Sequence, residues 1–240
     1  MIKVNKFGPA FGLPDASPFV HKVETYLRMT GQEYVEVVAD VRKSPRGQLP
    51  YVDIDGKIIP DSTAIVDYLE SKRPEKLDAH LSPMDRAIAQ AFKSMLEEHL
   101  YFGMLYVRWT LDEGWAVWEP QLRAMFKSMG VPSLMHGMIA KKARSGVIER
   151  SERQGLGRQP REEVVRNCIR VIDAFAEKLE GGPYIMGEKL TTLDATAYAF
   201  AAGTLCAAFP NELGKHAATK KSITSYADRM KSAYWKEAKA

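Results

Sequence analysis

The chain has 240 residues, 45% of them apolar and 27% charged, with a formal net charge of +4. That composition supports one large domain or two smaller ones, and because Lys and Arg are interspersed with Asp and Glu it gives no electrostatic footprint for nucleic acid. Two cysteines, Cys168 and Cys206, exclude a disulfide framework, a CxxC redox pair and a thiolate zinc cluster. No apolar run approaches the roughly 18 residues of a membrane span, and the chain turns polar directly after Val4, so no membrane association and a cytoplasmic location are expected.

Residues 2–7 alternate as a strand, and a Gly/Pro-rich stretch from Gly8 to Asp15 breaks the pattern. Ser17 followed by Pro18 marks a helix start, since serine caps free amides and proline lacks the one amide the first turn leaves unpaired. Phe19, Val20, Val23, Tyr26 and Leu27 continue at helical spacing to a stop at Gly31. Tyr34–Val38 reads as a second strand. A loop through Lys43, Ser44, Pro45, Arg46 and Gly47 then leads to Tyr51, Val52 and Ile54, and Asp55-Gly56 predicts a hairpin returning through Lys57–Ile59. Pro60, Asp61 and Ser62 open a second helix, 63–71. The order is βαβ, hairpin, helix, over residues 1–73.

Residues 72–83 read as a linker, and from 84 to 240 the pattern is all-helical. Helices are expected over 85–109, 162–180, 191–209 and 222–234, and residues 130–161 as an irregular excursion or short helices. Thr191 and Asp194 have capping-box spacing. The nearly continuous apolar helix beyond them belongs at the centre of its domain. Cys168 and Cys206 fall in helical apolar patterns, where thiols are usually buried and inert.

The N-terminal part resembles the thioredoxin-like domain of glutathione transferases. Ser17, Pro18, Phe19 and Val20 look like the active-site tetrad of serine-type enzymes such as the plant tau class, Gln48-Leu49-Pro50 like the turn with a cis proline, and Asp61-Ser62 like the acidic residue and serine that hold glutathione. Glu24–Met29, Ser44–Gly47 and Met95–Trp109 with Glu97, Glu98 and His99 resemble the metaxin-like, failed axon connections branch. The resemblance implies the glutathione transferase fold, an α+β thioredoxin-like domain plus an all-α domain, and a homodimer. It also implies a role in detoxification, with glutathione as co-substrate for a small apolar electrophile.

The resemblance gives the residues roles. A thiol near pKa 8.5 reacts only as thiolate. Ser17 would donate to that sulfur at a helix N-terminus, with Lys22 as a supporting cation. The plainer readings are an N-cap for Ser17 and a solvated face for Lys22. A cis Pro50 would expose the Leu49 backbone to the cysteinyl part of the tripeptide, where a trans proline would simply begin a strand. Asp61 and Ser62 would hold the γ-glutamyl end or serve only as caps, and Asp61 is shorter than the usual glutamate. Phe11, Tyr106 and Trp109 are candidates for an apolar co-substrate pocket within a stripe that is otherwise core. The five histidines show no metal spacing and read as capped or solvated, and the cluster Lys141, Lys142, Arg144, Arg150, Arg153, Arg158 and Arg161 as a solvated surface. A glutathione-dependent transferase stands against a non-catalytic binding or adaptor protein on the same fold. A thiol-disulfide oxidoreductase would need a cysteine in place of Ser17.

Overall fold

The computed structural model describes residues 1–39, 41 and 44–235; Lys43, in the predicted loop, lies outside them. Strand β1 (Ile2–Lys6) lies at the centre of a four-stranded sheet, parallel to β2 (Tyr34–Val38) and antiparallel to β3 (Tyr51–Ile54), which pairs in turn with β4 (Lys57–Pro60). The order is β2-β1-β3-β4. Asp55 and Gly56 both adopt positive φ, 51° and 89°, the two-residue turn whose twist matches the flanking strands.

Helix α1 (Pro18–Met29) and helix α2 (Ser62–Ser71) cover the sheet. Val4, Val52 and Ile59 from the strands pack with Val23, Leu27, Ile65 and Leu69 from the helices. One further residue in that core, Ala195, comes from far along the chain.

Leu77–His80 forms a 3₁₀ turn within the predicted linker, and α3 (Pro83–Ser94) comes next, opened by a Ser82/Asp85 capping box. Helical structure then runs unbroken to Thr110, but not as a uniform α-helix. Met95–Leu100 and Tyr106–Thr110 are π-helical, flanking α4 (Tyr101–Leu105). The Leu111 amide reaches back to the Tyr106 carbonyl, five residues away. Each such turn inserts a residue and rotates the helix beyond it, an effect that residue spacing alone does not reveal.

Helix α5 (Asp112–Ser128) doubles back on this rod, and α6 (Ser133–Gln154) runs beside it. The expected irregular excursion over 130–161 is corrected here: most of it is a single 22-residue helix. Its periodicity is hidden because only His136, Ala140 and Ser151 are buried, while Leu134, Met135 and Met138 face outward. Helix α7 (Arg161–Leu179) crosses α4 closely at Gly103, where an added Cβ would meet Cys168 Sγ at 2.1 Å. Helix α8 (Thr192–Thr204) stops short of the predicted Phe209. The chain turns at Cys206 before Pro210, so Cys206 lies outside the helix, and the apolar run persists because Phe209 drops into the core. A short α9 (Glu212–Ala218), unforeseen in the sequence, and α10 (Lys221–Tyr234) complete the fold.

Two buried carboxylates hold the parts that position the N-terminus of α1. The Asp194 carboxylate accepts the Ile185 and Thr191 amides at 3.0 and 2.8 Å, the Thr191 hydroxyl at 2.9 Å and the Tyr226 hydroxyl at 3.0 Å. Asp15 accepts the Gly8 amide at 2.7 Å and the Ser17 amide at 2.8 Å, pinning both ends of the loop before α1.

Asp194→Ala orphans two buried amides at about 1–3 kcal/mol each. The melting temperature should fall by about 10 °C, and a drop under about 3 °C would refute this role. Burial raises the Asp15 carboxyl to about 6 against the pull of its amide donors. The folded state therefore keeps the proton where the unfolded chain has lost it. That contribution to stability is complete below about pH 4 and lost as pH rises through about 6. The stability difference between wild type and Asp15→Asn, from urea unfolding, should fall by about 3 kcal/mol over that window and then level off. A difference that stays flat from pH 4 to 7 would contradict it.

Candidate active site

A cleft of about 700 Å³ separates the sheet-and-helix region from the long helical rod, within the size range of small-molecule sites. One side is made of helix starts and a loop: Ser17 at α1, Gln48 and Leu49 ahead of β3, and Asp61 and Ser62 at α2. The other is made of Tyr101, Leu105 and Trp109 from the rod, Trp118 and Leu122 from α5, and Val147 and Arg150 from α6.

Ser17 occupies the N-cap position of α1 with extended backbone, but its hydroxyl caps no amide. The capping reading does not hold, because neither the Phe19 nor the Val20 amide, the usual donors to an N-cap oxygen, reaches it. No acidic residue sits within the first turn of α1, although the Asp15 carboxylate lies just ahead of it on the Ser17 amide, so the first-turn amides present positive potential beside a half-buried hydroxyl.

The Leu49–Pro50 peptide is cis. Asp61 holds a positive φ of 76°, and its Oδ1 accepts the Thr63 and Ala64 amides at 2.9 and 3.1 Å. A non-glycine residue in that region is strained by about 1–3 kcal/mol, and such residues cluster where ligands bind.

Lys22 is not on a solvated face. It is 2% exposed, its ammonium 2.6 Å from Glu97 Oε1, and it donates to Thr63 Oγ1 at 2.9 Å and Ser62 Oγ at 3.4 Å. Burial pushes its pKa down and Glu97 pulls it back up. Lys22 does not line the Ser17 cleft; it lies behind Ser62 with its charge matched. The sequence hides this because Glu97 belongs to the distant π-helical stretch.

Among the apolar candidates, Trp109 lines the cleft and Phe11 and Tyr106 do not. Phe11 packs against Trp118 and Phe209, with ring centroids 5.4 and 5.5 Å away, and Tyr106 is buried in the helical core. Tyr101 and Arg108, which sequence reasoning did not single out, line it, as does Arg150, read in the sequence as part of a solvated surface. Arg108 carried a signal, since an arginine inside the apolar run Leu105–Trp109 must either be paired or serve a site. Arg150 corrects the solvated reading of the basic cluster, as does Arg144, which donates to the Trp109 and Thr110 carbonyls at 2.8 and 2.9 Å. His21 corrects the capped-or-solvated reading of the histidines. It is buried against Tyr198 and Trp235, and burial lowers its pKa to about 3. Burial pushes the Cys168 thiol up to about 12, which makes it inert. Among the described residues no group of side chains is arranged to hold a metal ion.

Comparison with known proteins places the chain in a family. Family models match at residues 18–115, glutathione S-transferase N-terminal domain, and at residues 168–230, glutathione S-transferase C-terminal domain. The chain is 38% identical to an isoprene-epoxide glutathione S-transferase of Rhodococcus sp. (strain AD45), with 98% of this chain and 99% of the relative covered. It is 29% identical to Failed axon connections of Drosophila melanogaster, over 78% of this chain and 46% of that protein. The solved structure of beta-etherase LigF from Sphingobium sp. strain SYK-6 superposes with a TM-score of 0.62 at 19% identity, covering 96% and 94% of the two chains. Strands and helices together make the glutathione transferase fold, and the chain belongs to the glutathione S-transferase family.

Proposed function

We propose that this protein joins glutathione to a small, largely apolar electrophile, or uses it to reduce one, with Ser17 stabilising the thiolate. The observation that carries the reading is the Ser17 hydroxyl, without a hydrogen-bond partner among the described residues, at a helix N-terminus that it does not cap, facing the same cleft as Leu49, Ser62 and an aromatic wall. Near-full-length similarity to an isoprene-epoxide glutathione transferase supports it.

Glutathione supplies the sulfur nucleophile. Ser17 donates a hydrogen bond to the sulfur and the first turn of α1 adds positive potential, which together favour the anion over the thiol. Ser62, through its hydroxyl and its amide, receives the γ-glutamyl carboxylate, Asp61 the ammonium group, and Gln48 and Leu49 the middle of the tripeptide. Lys22 acts on this half as a positioning residue, by fixing the Ser62 hydroxyl from behind. Trp109 and its apolar neighbours take the electrophile. In this reading residues 1–73 form the glutathione-binding domain and 84–240 the helical one, in a cytoplasmic homodimer with a detoxifying role.

A second reading is a non-catalytic binding or adaptor protein, favoured by the Failed axon connections relative and by Asp61, one of whose oxygens is occupied in capping α2. Calorimetric titration with glutathione separates the two, since the transferase requires binding in the micromolar to millimolar range.

Ser17→Ala removes a hydrogen bond to a charged atom, worth about 1.5–3 kcal/mol. The pKa of bound glutathione, read from thiolate absorbance against pH, should rise by about 1–2 units, and kcat/KM at neutral pH should fall about 10- to 100-fold. An unmoved pKa would remove Ser17 from the reaction. The paired substitution Lys22→Met with Glu97→Gln leaves no buried charge behind. It should weaken glutathione affinity while leaving the bound thiol's pKa in place, and a raised pKa would return Lys22 to the sulfur.

A further inference from the structure

The electrophile side of the cleft contains a charge that the protein does not balance. Arg108 is 8% exposed, yet among the described residues no carboxylate lies within 4 Å of it. Lys6 and Lys22, as deeply buried, are each held by a glutamate at 2.6–2.7 Å. Among the described residues the Arg108 guanidinium donates once, to the Ala16 carbonyl at 3.0 Å, and its buried Nε has no partner. The rings of Phe11, Trp118 and Phe209 lie 5.3–5.8 Å from its central carbon. Such rings stabilise a cation without accepting its in-plane N–H bonds, so donors remain for a ligand.

A second guanidinium reaches the same cleft from α6. Arg150 donates to the Tyr101 hydroxyl at 3.2 Å, and its buried Nε is likewise without a partner. It too lacks a carboxylate within 4 Å among the described residues. A wall meant only for hydrocarbon would gain nothing from one desolvated, unpaired cation with a half-buried second beside it, because burying a charge is costly unless something completes its hydrogen bonding.

We propose that Arg108, together with Arg150, forms an oxyanion subsite, so that the electrophile is one bearing an oxygen that is, or becomes, negatively charged. The inference rests on the glutathione-dependent reading above. Two sources share this chemistry: a permanent carboxylate on the electrophile, or the alkoxide formed when the strained C–O bond of an epoxide opens. In the second case the sulfur forms a bond to carbon, the C–O bond breaks and its electron pair stays on oxygen. The proton lost by the thiol ends on that oxygen through solvent, and nothing else enters or leaves.

The test has two arms. In the first, S-(2-carboxyethyl)glutathione and the similarly sized S-propylglutathione are titrated by calorimetry into wild type, Arg108→Met and Arg108→Lys. A carboxylate source predicts a preference of about 10-fold or more for the acid in wild type, lost in the Met variant and partly kept in the Lys variant. In the second, turnover of a small terminal epoxide is compared with that of the matching alkyl iodide, whose leaving group accepts hydrogen bonds weakly. An alkoxide source predicts that Arg108→Met lowers kcat on the epoxide about 10-fold more than on the iodide. Should Arg108→Met fail to fold, Arg150→Met reads the same ratios. Equal affinities in wild type together with equal kinetic losses overturn the subsite. Failure of both thioethers to bind wild type instead overturns the glutathione site itself.

Discussion

The buried pair between Lys22 and Glu97 is the constraint on which the rest of the arrangement depends. One partner belongs to the first helix and the other to the π-helical stretch of the long rod, so the pair forms only when the two halves of the molecule are docked. Glu97 also accepts the Thr196 hydroxyl at 3.1 Å, while Lys22 reaches Thr63 and Ser62. Four helical segments thus meet around one charge and its counter-charge. Breaking such a pair strands an ion in a low-dielectric interior, which makes the docking geometry all-or-none rather than gradual.

Around that pair the packing is close. Ala195 places α8 in the core beneath the sheet, and the fully buried Ala197, Ala199 and Phe200 keep the same helix enclosed on its other sides. The Asp78 carboxylate, from the short turn between the two regions, accepts the Thr192 amide at 2.8 Å and so ties the start of α8 to the connection. At the far end of the chain Trp235 lies 4.0 Å from the Arg28 guanidinium and donates to Thr25 at 3.3 Å, closing the structure back onto α1. Helix α1, and with it the backbone that carries Ser17, is therefore held by elements from distant parts of the chain and not by its own loop alone.

Features governed by neighbouring residues were legible in the sequence. The Asp55-Gly56 turn, the Ser17-Pro18 helix start, the Thr191/Asp194 box and the extents of β2 and α1 all derive from local backbone chemistry. What escaped was set at a distance. Helix α6 lost its periodic signal by lying half in solvent, and Phe209 extended an apparent helix by being buried after a turn. The inserted residues of the π turns left no mark in composition. The candidate site divides the same way. Ser17, Gln48, Leu49, Asp61 and Ser62 sit at helix starts and a loop, where sequence speaks clearly, whereas Arg108 and Arg150 join the cleft only because three helices converge.

This division has a consequence for how the protein can change. The helix α6 buries few of its residues, and its outer face makes little demand on the core. Yet Val147 and Arg150 on that helix form the outer wall of the cleft. Substitutions at Val147 and Arg150 and on the exposed face of this helix can therefore reshape the chamber opposite the thiol at little cost to folding, away from the buried His136, Ala140 and Ser151 and from Arg144, while the Ser17 side is locked in place by buried charge. The molecule joins a rigid anchorage to an adjustable wall, so its repertoire can diversify without disturbing the nucleophile.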